Sequence, residues 1–145
     1  MNMEIINKPL SLQIHGFSGT TPGKDYAGTA FKLMDRMWKV VRSNNLKNKG
    51  LNIWVYEPGE QVFAGVELES QPAAETGLEQ KSLTLIKYAY YKHIGSYKLI
   101  PQAGQRMREE LTAKGLEITT PYVEIYGHWT NDETKLETEL LMALR

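Results

Sequence analysis

The sequence of 145 residues has no cysteine and no excess of charge of either sign. Without cysteine there are no disulfide bonds, thiol nucleophiles or thiolate metal ligands, which suits a reducing compartment. The 17 Lys and Arg residues balance the 17 Asp and Glu residues, so no strong overall field favours nucleic acid or an anionic membrane. No apolar run approaches the roughly 20 residues that span a bilayer. We therefore expect a cytoplasmic protein that binds neither nucleic acid nor membranes directly.

Motifs of the common catalytic and cofactor sites are also missing. The sequence contains no glycine-rich dinucleotide motif, no P-loop and no nucleophile elbow, so nucleotide binding and serine hydrolysis lack support. The three histidines, His15, His93 and His128, match no zinc spacing. We expect neither a metal ion nor an organic cofactor.

The first half of the sequence predicts the element order β-α-β-β. Apolar and polar residues alternate over residues 9–17, which is typical of a half-buried strand. Apolar residues then recur every three or four positions from Tyr26 to about Arg42, which indicates a helix with one buried side. Two strands over 51–57 and 61–69, joined by a tight turn containing Pro and Gly, complete this half.

The second half repeats the same order. One strand is expected over 82–95, Ser96 caps a helix that stops at Lys114 and Gly115, and two further strands follow. We expect one domain over 1–145, with a first repeat over about 1–70, a linker over about 71–81 and a second repeat over about 82–145. The predicted fold class is α+β, with duplicated β-α-β-β repeats, pseudo-twofold symmetry, an antiparallel sheet and a ligand groove between the repeats. A single irregular α+β domain without symmetry is the alternative.

A carboxylate lies among aromatic residues on two of the predicted strands. Since side chains alternate along a strand, Tyr122, Glu124 and Tyr126 share one face of theirs, and Trp54 and Tyr56 share the matching face in the first half. The opposite faces are aliphatic and are expected to pack under the helices. We therefore expect the aromatic faces to line the groove around Glu124.

An aromatic groove around one carboxylate is complementary to a flat or bulky organic cation. The alternatives are that Glu124 is exposed or pairs with a lysine, or that it acts as a general base toward water. Met34 and Trp38 are expected in the core, whereas Trp129 lies in a turn as a lid or as part of the surface.

The sequence also resembles the GyrI-like effector-binding domains. The motif that carries the resemblance is Tyr-Ala, His-x-Gly-x-Tyr and Pro-x-x-Glu-x-Tyr, which matches Tyr88, Ala89, His93, Gly95, Tyr97, Pro121, Glu124 and Tyr126. The segments "KPLSLQIHGFSG" and "FAGVELES" agree as well, so the resemblance covers essentially the full chain.

The resemblance implies a ligand groove between two repeats and a buried glutamate that pairs with lipophilic cations. Glu124 matches that glutamate. The multidrug-sensing relatives are fused to AraC-type or MerR-type regulators, whereas this chain is expected to be a stand-alone module, similar to integron-cassette-encoded binders of cationic drugs. Other stand-alone relatives hydrolyse electrophilic natural products or act on a protein partner such as gyrase, and these two functions are the alternatives.

Overall fold

The computed structural model describes residues 1–145, which form one antiparallel sheet of eight strands with two helices. The strands are β1 (Glu4–Ile6), β2 (Leu10–Thr20), β3 (Asn52–Glu57), β4 (Gln61–Val66), β5 (Glu79–Leu85), β6 (Tyr88–Ile94), β7 (Ile118–Tyr126) and β8 (Glu137–Leu144). The helices are α1 (Tyr26–Ser43) and α2 (Ile100–Ala113). The fold is therefore α+β, as predicted.

The strands lie in the order β1-β6-β8-β7-β3-β4-β2-β5. This order is unchanged when the two halves of the chain are exchanged and the sheet is read from its other end. Each half also has two strands, a helix and two strands, in that order. Both observations are consistent with duplication, and the pseudo-twofold symmetry stays a prediction.

Local sequence signals account for most element ends. Asp25 caps α1 by accepting a hydrogen bond from the backbone N–H of Gly28 at 3.1 Å. Ser96 caps a short 3-10 turn, Tyr97–Leu99, that leads into α2, and Pro101 lies in the first turn of that helix, where its missing N–H costs little. The predicted hairpin between β3 and β4 is confirmed.

Two details of the predicted strands are wrong. The single strand expected over 82–95 is two strands, because the chain bends at Ile86 and Lys87 between β5 and β6. Strand β5 pairs with β2 at one edge of the sheet, whereas β6 pairs with β8 near the opposite edge. Strand β1 was not predicted, and three residues give too short a pattern to read.

The expectation that the aliphatic faces pack under the helices is also wrong. Ile53, Val55 and Val123 lie on the central strands and share one core with residues of the strands that flank them in both directions. These residues include Leu12, Leu85, Tyr88 and Ala143. The sheet is thus curved so that its own strands bury this face. The helices pack on the other face, where α2 contacts Leu140 and Met142 and α1 contacts Ala64 and Val66.

The two helices leave the middle of the sheet face on which they pack uncovered. Helix α1 packs on β2 and β4, and α2 packs on β6 and β8. The central strands β3 and β7, one from each half, run between the two helices. Their helix-side residues therefore form the floor of a groove. Neither helix is long and apolar enough to cross a membrane.

Packing of α2 on the sheet makes a testable contribution to stability. Leu111 is fully buried in the core under α2, whereas Leu99 is 46% exposed just before the helix. We expect Leu111→Ala to lower the free energy of unfolding by about 2–5 kcal/mol, because it leaves a cavity. The matched Leu99→Ala should change it by less than about 1 kcal/mol. Urea denaturation measures both, and equal effects would contradict this packing.

Candidate functional site

The pairing of β3 with β7 brings together all five residues that the sequence singled out. In the antiparallel register, Trp54 lies opposite Glu124 and Tyr56 lies opposite Tyr122. Tyr126 lies on the same face, two residues beyond Glu124. Directly opposed side chains in such a pair lie about 4.5–5.5 Å apart at Cβ, so the floor of the groove is a continuous aromatic surface around one acid.

The Glu124 carboxylate is buried, with 6% of the residue exposed, and accepts hydrogen bonds from three tyrosine hydroxyls. Tyr56 and Tyr126 donate to Oε1 at 3.0 and 2.5 Å, and Tyr122 donates to Oε2 at 2.7 Å. Three O–H donors replace part of the water that burial removes from a carboxylate. The Nε1–H of Trp54 has no acceptor, so the carboxylate relies on the tyrosines alone.

No cation neutralises this carboxylate. Glu124 takes part in no ion pair, so the interpretation that it pairs with a lysine is wrong, as is the interpretation that it is exposed. A buried carboxylate is costly unless it is paired, and hydroxyl donors bring no opposite charge. Glu124 is therefore buried without an ion-pair partner.

The aromatic rings also pack on one another. Tyr56 and Tyr122 are stacked with centroids 5.4 Å apart, and Trp54 and Tyr126 lie 4.8 Å apart. Side chains from outside the two strands extend this surface. Tyr26 packs edge-on against Tyr56, Phe31 against Trp54, and Tyr97 against Tyr126. Packing in such pairs restricts the rings, so the hydroxyls stay directed at the carboxylate.

The groove forms a cavity of about 1140 Å³ between the helices. Its floor includes the five predicted residues, and its walls come from α1, from α2 and from the loop after β7. Sequence reasoning missed most of these wall residues, which include Tyr26, Phe31, Tyr97, Ile100, Arg108 and His128. Drug-sized ligands occupy pockets of about 300–1000 Å³, so this cavity has room for one.

The tryptophans and Met34 differ in their positions. Met34 packs beside the core but also lines the cavity, so the expectation that it is only a core residue is wrong. Trp38 does not line the cavity, and its Nε1–H donates to Asn52 Oδ1 at 2.6 Å. Trp129 lines the cavity and is 74% exposed, which places it at the mouth. Phe31, an apolar residue of α1, is 60% exposed and also lines the cavity.

The histidines do not converge on one point. His15 and His93 are buried, and the Nε2 of His93 lies 2.9 Å from the carbonyl oxygen of Ser96. Burial lowers the pKa of His15. His128 lines the cavity, whereas His15 and His93 do not. No group of three or more His, Asp or Glu side chains is arranged to hold a metal ion.

The tyrosine hydroxyls of the floor are held in their protonated form. Burial raises the pKa of Tyr56, Tyr122 and Tyr126 well above the ordinary value, and the negative charge of Glu124 raises it further. Ionising any of them would place a second negative charge beside the first. These hydroxyls therefore remain donors toward Glu124 over the whole physiological pH range.

These pKa shifts predict how stability depends on pH. The unfolded chain ionises its tyrosines near pH 10, whereas the folded chain keeps these three protonated. Above about pH 10 the folded state binds more protons than the unfolded state, so the free energy of unfolding should fall as the pH rises. Tyrosinate absorbance followed together with circular dichroism tests this. Ionisation of all eight tyrosines near pH 10 with the fold intact would contradict it.

Solved structures share this fold over nearly the whole chain. The C-terminal domain of EcmrR aligns with 100% of this chain and 99% of its own length, with a TM-score of 0.79 and 14% identity. SAV2435 bound to tetraphenylphosphonium aligns with 100% of this chain and 94% of its own, with a TM-score of 0.66 and 17% identity. A hydrolase from Listeria innocua aligns over 99% and 91%, with a TM-score of 0.60 and 12% identity. At these identities the likeness shows the fold alone.

The family follows from the sequence itself. No curated protein matches the chain. A family model described as the GyrI-like small molecule binding domain matches residues 1–145. Because that match spans the whole chain and the fold agrees with it, the chain belongs to the GyrI-like small molecule binding domain family.

Proposed function

We propose that this domain binds amphipathic or aromatic organic cations in the cavity between α1 and α2. The observation that carries the proposal is the buried Glu124 carboxylate, which has three tyrosine donors and no cationic partner. In this proposal Glu124 is the counter-ion, and Trp54, Tyr56, Tyr122 and Tyr126 are the aromatic residues of the floor that hold the ligand. No cofactor takes part.

The electrostatics of the site favour a cationic guest. At an effective dielectric near 20, a positive charge about 4 Å from the carboxylate gains on the order of 4 kcal/mol before desolvation of the guest is subtracted. Most of the desolvation of Glu124 has already occurred on folding, because the residue is buried in the free protein. The guest therefore bears most of the remaining cost, and a lipophilic cation with delocalised charge has the least to lose.

The aromatic rings of the floor favour the same class of ligand. Each ring face that a cation meets contributes about 0.5–2 kcal/mol, depending on how dry the contact is. The bound tetraphenylphosphonium of SAV2435 is a lipophilic aromatic cation held by a protein of the same fold. This likeness in fold supports the proposal.

Replacement of the carboxylate by an amide tests the proposal. We expect Glu124→Gln to weaken binding of the cationic dye rhodamine 6G at least tenfold, about 1.4 kcal/mol, because the negative charge is lost and the side-chain volume is kept. Binding of a neutral dye of similar size should change little. Fluorescence anisotropy titrations of both dyes measure the two affinities.

Glu139→Gln is the matched control. Glu139 on β8 also accepts a tyrosine hydroxyl, that of Tyr90 at 2.6 Å, and it does not line the cavity. This variant removes one acid and disturbs one tyrosine contact, so its dye affinities should equal those of the wild type. Equal weakening by both variants, or no effect of Glu124→Gln on the cationic dye, would overturn the proposal.

Hydrolysis of an electrophilic ligand is the second candidate, because a hydrolase from Listeria innocua shares the fold. Glu124 would then activate water. Both of its oxygens already accept tyrosine hydroxyls, so a water molecule would have to compete with these donors for a position beside the carboxylate, and simple binding is favoured. Turnover of an epoxide or activated ester by the wild type, abolished in Glu124→Gln while binding is retained, would favour the hydrolase. Absence of turnover beside tight cation binding would exclude it for those substrates.

A further inference from the structure

A second charged residue faces the same cavity from the side of α2. Arg108 lines the cavity. The sequence of α2 did not predict this residue as part of the site. Its guanidinium lies over Gly104, one turn earlier, where a Cβ atom would lie 3.4 Å from Nη1. Long helical side chains point back toward the helix N-terminus in this way. The guanidinium thus lies along the surface of α2 above Gly104, beside the cavity.

The charge of Arg108 is unpaired. The guanidinium donates one hydrogen bond, from Nη2 to Gln105 Oε1 at 3.1 Å, and takes part in no ion pair. By contrast, the next basic residue of the helix end, Lys114, pairs with Glu110 at 3.4 Å. A guanidinium offers five N–H donors in a fork that matches a carboxylate. Arg108 therefore has most of its donors free on the cavity side of the helix.

Arg108 is also within electrostatic reach of the floor. Burial and Glu124 together raise the pKa of Tyr122, and the positive charge of Arg108 acts on that pKa in the opposite direction. Tyr122 is one of the three donors to Glu124. The only other acid that lines the cavity, Glu57, pairs with Lys81. The cavity thus holds one unpaired negative charge on its floor and one unpaired positive charge on its wall.

We propose that the cavity selects ligands that carry an anionic group beside the aromatic cation, with Arg108 as the specificity-determining residue for that group. This inference rests on the proposed function, because Glu124 still binds the cationic part. The cavity of about 1140 Å³ is larger than a single charged ring system fills, which leaves room for a second group toward α2. A ligand with one charge alone leaves Arg108 unpaired and, if that charge is positive, is repelled by it.

Rhodamine B and its ethyl ester form a matched pair of probes. The acid is a zwitterion in neutral water, and the ester has the same aromatic cation without the carboxylate. We expect the wild type to prefer the acid and Arg108→Gln to reduce the ratio of the two affinities about fivefold, which is the upper end of the range for an exposed ion pair. The ester itself should bind Arg108→Gln no more weakly than the wild type, because a like charge has been removed.

Three controls separate the outcomes. Arg106→Gln, on the same helix but outside the cavity, should leave the ratio unchanged. Arg108→Lys should keep part of the preference, because it retains the charge and loses the fork. Added salt should reduce the preference of the wild type but not that of Arg108→Gln, since screening acts on the exposed pair.

The affinities of the acid and the ester in the two variants separate the role of Arg108 from cation binding by Glu124. If the ester binds and loses affinity in Glu124→Gln, while Arg108→Gln changes acid and ester by the same factor, the role of Arg108 is overturned and cation binding stands. If the ester binds equally to the wild type and Glu124→Gln, the proposed function fails and the inference fails with it. If Arg106→Gln lowered the ratio of acid to ester affinity as much as Arg108→Gln does, the inference would also be overturned. The effect would then come from the net charge of the protein and not from the position of Arg108.

Discussion

The carboxylate of Glu124 is the constraint on which the rest of the site depends. It lies on a central strand, where the sheet continues on both sides and water has little access. Burial of a charge there is tolerated only if polar groups surround it, and the structure supplies three hydroxyls from Tyr56, Tyr122 and Tyr126. These donors satisfy the oxygen lone pairs but leave the charge. The carboxylate is thereby buried with its hydrogen bonds made and with no opposite charge in contact with it.

The arrangement of the helices decides that this charge faces a cavity. If a helix crossed the central strands, its side chains would bury the aromatic face and exclude a ligand. Instead α1 rests on β2 and β4 and α2 on β6 and β8, so β3 and β7 form an open floor. The sheet buries its other face by curving on itself. Since that core needs no helix, both helices are free to serve as walls of the cavity.

Much of the floor was predictable, and most of the walls were not. The period of two along β3 and β7 places Trp54 and Glu124 on the aromatic faces of their strands, and the register then brings them opposite each other. Which face the helices cover depends on contacts between distant strands, such as those of Leu12 and Tyr88, which no local pattern contains. Arg106 and Arg108 are both exposed residues of α2, and no local sequence pattern separates them. Only the position of that helix beside β7 distinguishes them.

Floor and walls differ in what a substitution can change. The aromatic residues of the floor are held by strand pairing and by ring packing, and the tyrosines also donate hydrogen bonds to Glu124, so replacing one of them alters stability together with the surroundings of the carboxylate. Wall residues such as Phe31, Arg108 and Trp129 are exposed and have few partners, so they can be exchanged at little structural cost. In the proposed function, the preference for a positive charge therefore belongs to the sheet, whereas the size and the second charge of the ligand belong to side chains that the fold does not depend on.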